Sequence, residues 1–76
     1  MKKYLVPVVG SNLAGVMEFT IEAASEEEAK EKVAGVREGK IDPKDIGLSK
    51  EDTFALHLVL DYWINKPTEV KEEAEK

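Results

Sequence analysis

The chain has 76 residues, sixteen of them acidic and eleven basic, for a net charge of −5 at pH 7. A chain this short forms one small domain that buries only about 60% of the surface its unfolded form exposes. With no cysteine and one histidine it has no disulfides and no plausible zinc site, and with a single arginine, Arg37, it is poorly equipped to bind nucleic acid.

In chain order, the first feature is the pair Lys2-Lys3 ahead of the apolar stretch 4–9. That stretch is too short for a signal peptide, and Glu18 and Glu22 follow it closely. No apolar run approaches the ~20 residues that span a bilayer, so the expectation is a soluble, cytoplasmic protein with no membrane partner. Tyr4, Leu5, Val6, Val8 and Val9 are β-prone and predict a first strand. Pro7 cannot donate to a ladder, which puts that strand at a sheet edge or requires a bulge there. Gly10-Ser11-Asn12 supplies turn chemistry and leads into a second strand over about residues 13–23. There Met17, Phe19, Ile21 and Ala23 alternate with Glu18, Thr20 and Glu22, the pattern of a strand with one buried face.

The period then changes. Ser25-Glu26-Glu27-Glu28 reads as a capping box, with the Ser25 hydroxyl accepting from the Glu28 N–H and the Glu28 carboxylate reaching back to the Ser25 N–H. A helix over about residues 26–38 follows, with Ala29, Val33 and Val36 as its apolar stripe and Gly39 as its terminator. Gly35 costs about 1 kcal/mol relative to Ala inside a helix and suggests a close approach to the sheet. Residues 41–53 read as a connection in which Asp42-Pro43 starts a short helical turn ended by Gly47. Residues 54–64 read as the longest strand, with Phe54, Leu56, Leu58, Leu60, Tyr62 and Ile64 on one face and Ala55, His57, Val59, Asp61 and Trp63 on the other. The prediction is a single domain over residues 1–66, followed by a charged tail over residues 67–76 that is a frayed helix or disordered.

These elements make an α+β fold of ββαβ type: a three-stranded sheet with one helix on one face. Antiparallel pairing is the commoner kind, which favours strand order 2-1-3 and leaves 1-2-3 open. One helix leaves the other face of the sheet uncovered. The first strand is apolar at nearly every position, so that face carries either Tyr4, Val6 and Val8 or Leu5, Pro7 and Val9. We take Tyr4, Val6, Val8, Ala55, His57, Val59 and Trp63 as candidate interface residues, because a contiguous exposed apolar patch with Trp and Tyr marks a contact surface. A homodimer packed sheet on sheet is the simplest partner arrangement, with a protein partner next.

Catalytic chemistry finds little support. His57 and Asp61, four residues apart on an extended strand, stand about 13 Å apart and cannot form a dyad. The glycines at 10 and 15 lack the Lys-Ser/Thr of a phosphate loop. Asp42, Asp45, Glu51 and Asp52 lack calcium-loop spacing. No cofactor, metal or catalytic residue is expected.

The run from Phe19-Thr20-Ile21-Glu22-Ala23-Ala24-Ser25-Glu26-Glu27-Glu28-Ala29 to Val33, followed by Gly39-Lys40-Ile41, resembles the DpnD/PcfM-like small proteins over about residues 3–64. The resemblance implies a short ββαβ chain associated with phages or plasmids, and it carries over no catalytic or ligand residue. This chain departs from the family in its long, tryptophan-bearing third strand. The expected function is a non-enzymatic interaction module that self-associates through the open sheet face. The alternatives are small-ligand binding and single-strand nucleic-acid binding by Tyr4, Tyr62 and Trp63.

Overall fold

The computed structural model describes residues 2–71. In chain order they form β1 (Lys2–Val9), β2 (Met17–Ala23), α1 (Glu26–Arg37), a 3-10 turn (Pro43–Ile46), α2 (Lys50–His57), β3 (Trp63–Ile64) and β4 (Thr68–Val70). β1 is the central strand, and all its pairings are antiparallel. On one side it pairs with β2 from Lys2↔Ala23 to Val8↔Met17. On the other it pairs with β3 at Val8↔Ile64 and Val9↔Trp63, then with β4 at Leu5↔Thr68, Tyr4↔Glu69 and Lys3↔Val70. The order is β2-β1-β3, with β4 also on β1.

Pro7 explains why that second side is split. The Asn65 N–H donates to the Pro7 carbonyl at 2.9 Å. In a regular ladder the N–H of residue 7 would return a bond to residue 65, and proline has none. The registers of β3 and β4 on β1 differ by one residue, so Lys66 and Pro67 together stand opposite Val6. That is a bulge, and Pro67 is buried in it. Pro7 therefore lies in the middle strand, and its irregularity is absorbed by its neighbour.

Two expectations are corrected here. Residues 54–64 are not one strand: they are the end of α2, a turn, and the two residues of β3. The Ser49 hydroxyl accepts from the Asp52 N–H at 3.1 Å and starts a helix with Glu51 and Asp52 in its first turn. The apolar alternation from 54 to 60 is compatible with either period. Burial separates them, because Leu56 and Val59 are buried while Phe54, Leu58 and Leu60 are exposed. Asp61, with φ 50°, then turns the chain toward β3. Nor do residues 67–70 belong to a loose tail, since Pro67 is buried and β4 is hydrogen-bonded to β1. Residues 72–76, the rest of the expected tail, lie outside the described residues.

α1 is built as its sequence suggests, with one change. Ser25 Oγ accepts from the Glu28 N–H at 3.2 Å, but Glu28 Oε1 takes its return bond from the Ala24 N–H, at 2.6 Å. Ala29, Val33 and Val36 pack into one core with Tyr4, Val6, Val8, Phe19, Ile21, Ile46, Leu48, Leu56 and Val59. At Gly35 a Cβ would stand 2.8 Å from Ile41 Cγ1, so the glycine admits Ile41 against the helix. α1 and α2 are thus on the same side of the sheet and share a single core.

The helical reading of residues 50–57 has a direct consequence. Leu56→Ala should cost about 2–5 kcal/mol of stability by chemical denaturation, as core truncations do, whereas Phe54→Ala should cost no more than about 0.5 kcal/mol. Equal losses would restore the strand. A pH dependence follows from the cap. Bonding to the Ala24 N–H, aided by Lys32, holds the Glu28 carboxyl below its ordinary value of 4.5. The ionised cap is therefore fully present above pH 4.5 and is lost as pH falls through the lowered value. Helix content of the Glu28→Gln variant should show less acid dependence than the parent over that window by circular dichroism.

Candidate protein-interaction site

Residues directly opposite one another in a sheet project to the same face, and alternate residues to opposite faces. With Tyr4, Val6 and Val8 in the core, the reverse face has three columns. β1 contributes Lys3, Leu5, Pro7 and Val9 at its centre. β2 contributes Glu18, Thr20 and Glu22 along one flank, all exposed. The other flank is Trp63 beside Val9, then Thr68 beside Leu5 and Val70 beside Lys3. Continuing the registers by one residue sets Asn65 beside Pro7 and Val16 beside Val9. Trp63 is 69% exposed and Val16 53%, so one end of this face presents an apolar row: Val16, Val9, Trp63.

Of the seven candidate residues, Trp63 lies on this face. Tyr4, Val6 and Val8 face the core, Tyr4 being 4% exposed, and Val59 is buried there too. Ala55 is half-buried on α2. His57 ends α2 exposed, with Nδ1 donating to the Thr53 carbonyl at 2.9 Å. The error at Ala55, His57 and Val59 comes from extending strand alternation into a helix. On β1 the outward set is Leu5, Pro7 and Val9, the other choice that the alternation allowed. Val16 carried no signal, since only the pairing of Val8 with Met17 brings it beside Val9.

The end of the sheet that carries this row is held by contacts between two loops. Asn12 Oδ1 accepts from the Leu60 N–H at 3.0 Å, and Asn12 Nδ2 donates to the Leu58 carbonyl at 3.0 Å. The Ser11 N–H donates to the Leu60 carbonyl at 2.9 Å, and Ser11 Oγ donates to Asp61 Oδ2 at 3.1 Å. Behind them Arg37 reaches from the end of α1, donating through Nη2 to the Val59 carbonyl at 2.9 Å, with its guanidinium 5.4 Å from the centre of the Tyr62 ring. Tyr62 donates to Glu38 Oε2 at 3.1 Å, and burial together with that carboxylate pushes the phenol above its ordinary range. Arg37 is thus a link between α1 and the segment leading to Trp63.

A second surface lies on the helical side. Pro43, Leu48, Thr53, Phe54 and His57 line an open groove of about 440 Å³, with Asp42, Lys44 and Lys50 around it. Phe54 is 68% exposed. The surface expected from Tyr4 together with Trp63 is not assembled, since Tyr4 lies in the core. Among the described residues no group of three or more His, Asp or Glu side chains could hold a metal ion, and no helix is long and apolar enough to cross a membrane. Comparison with protein-family models, with curated proteins and with solved structures finds no match.

The loop contacts make Gly10 intolerant of a side chain. A Cβ there would overlap Val59 Cγ1 and stand 2.9 Å from the Leu60 carbonyl oxygen. Gly10→Ala should destabilise the protein by about 1–3 kcal/mol, as overpacking does, and should increase hydrogen exchange at the Ser11 and Leu60 amides. An unchanged melting temperature would mean that the two loops are not held together in this way.

Proposed function

We propose that this chain is a non-enzymatic interaction module that docks on a protein surface, in the first place a second copy of itself, through the reverse face of its sheet. Trp63 carries this reading. It is a large aromatic side chain, 69% exposed, on a two-residue strand and flanked by Val9 and the Leu5–Pro7 column. Tryptophan is among the residue types most enriched at binding hot spots, and the apolar row Val16, Val9, Trp63 lies beside the polar Glu18 and Asn65, as the core of a contact patch lies beside its rim. The likeness of residues 19–33 to the DpnD/PcfM-like proteins extends the proposal to a phage or plasmid origin.

The groove beside Phe54 supports a second reading, binding of a small, largely apolar ligand. Its volume falls within the range of small-molecule sites. The two readings use opposite sides of the molecule and separate cleanly. Sedimentation velocity from about 10 µM to about 1 mM should show a concentration-dependent dimer. Trp63→Ala should return it to monomer with an unchanged circular dichroism spectrum. Monomer throughout that range would sink the self-association reading. A melting temperature raised by a hydrophobic small-molecule panel in the parent, but not in Phe54→Asp, would favour the groove instead.

A further inference from the structure

We infer that the groove beside Phe54 takes an aromatic carboxylate: a small molecule with an aryl ring at one end and a single negative charge at the other. This rests on the groove reading above, adds the chemical class of its ligand, and is independent of the sheet face. It is carried by the side of α2 that borders the groove and by the charge left unpaired there.

α2 lines the groove with Lys50, Thr53, Phe54 and His57, the i, i+3, i+4, i+7 spacing of one helix face. This is not the face that anchors α2, since Leu56 is in the core while Phe54 is exposed. Leu48, 6% exposed, and Pro43 add apolar lining from the segment before α2. The polar atoms of Thr53 and His57 are partly committed to the helix itself. Thr53 Oγ1 donates to the Ser49 carbonyl at 2.8 Å, and His57 Nδ1 to the Thr53 carbonyl at 2.9 Å. An aryl ring seated on Phe54 and Leu48 therefore meets carbon, and paired rings gain beyond their buried area.

With His57 neutral, the charges lining the groove are Asp42, Lys44 and Lys50. Asp42 Oδ1 accepts from the Lys44 N–H at 3.0 Å and caps the 3-10 turn. Among the described residues neither lysine side chain makes an ion pair. Of the other nearby carboxylates, Asp52 lines a separate cleft with Lys3 and Glu22. Asp45 and Glu51 are exposed and do not line the groove, so they act on it through solvent that screens them. Two ammonium groups against one carboxylate leave one positive charge beside an apolar surface, on a chain whose net charge is −5. That balance suits a monoanion. A dianion would set its second charge against Asp42, and lysine lacks the paired donors with which arginine grips phosphate.

The test titrates the isotope-labelled full chain with probes that share one body: phenylbutyrate, its neutral amide phenylbutyramide, and the cation phenylbutylamine. Each is taken to about 10 mM, and backbone amide shifts are read by nuclear magnetic resonance. Phenylbutyrate should move the amides of Lys44, Leu48 and α2. It should bind about fivefold more tightly than the amide, the upper range for exposed ion pairs, with the amine weakest. The double variant Lys44→Gln/Lys50→Gln should lose that preference and keep the parent's affinity for phenylbutyramide. Phe54→Ala should weaken all three probes. Phenylbutyramide or phenylbutylamine binding as tightly as phenylbutyrate, or a preference that survives loss of both lysines, overturns the carboxylate and leaves the groove reading standing. No movement of these amides with any probe, or shifts centred on Trp63 that persist in Phe54→Ala, overturns both.

Discussion

The structure depends on β1 being paired along both edges although it contains a proline. A strand in that position must place nearly every N–H and C=O in a ladder, and residue 7 lacks one donor. The gap falls on the side of β3 and β4, where the Lys66–Pro67 bulge interrupts the pairing. The β2 side keeps an unbroken register from Lys2 to Val8. The strands after α2 are consequently two short pieces. Trp63 sits on the first of them, so its position follows from how the chain accommodates Pro7.

The same central strand divides the molecule into two unlike sides. Tyr4, Val6 and Val8 sit in a core shared by α1, α2 and the 3-10 turn. Leu5, Pro7 and Val9 are left half-buried on a face covered by neither helix. Among the described residues both helices pack on the one face. The Asn12, Ser11 and Arg37 contacts then fix the approach to β3. They order the loops behind the exposed indole, and a preordered aromatic loses less entropy on docking than a mobile one.

The local reading succeeded where a single interpretation survived. Met17 to Ala23 alternates with charged residues between, so only a half-buried strand fits. Ser25 and Glu28 bracket the start of α1, and Gly39, with φ 79°, terminates it. Residues 54–60 admit two periods, because apolar side chains occupy six of the seven positions. The sign that would have chosen the helix was Ser49 followed by Glu51 and Asp52, an N-cap with an acidic first turn. Once residues 50–57 were taken as strand, Ala55, His57 and Val59 were placed on the wrong surface together.

What the amino-acid sequence determined alone was the chemistry of each face: an amphipathic second strand, a capped first helix and a first strand apolar on both sides. These are properties of neighbours within a few residues, and local hydrogen bonding and period decide them. Which side of β1 turns outward, which residues stand beside Trp63, and how the chain compensates for Pro7 were settled only by pairing across the sheet. Register joins residues fifty or sixty positions apart, and no local pattern encodes that choice, since either face of β1 is apolar enough to be buried.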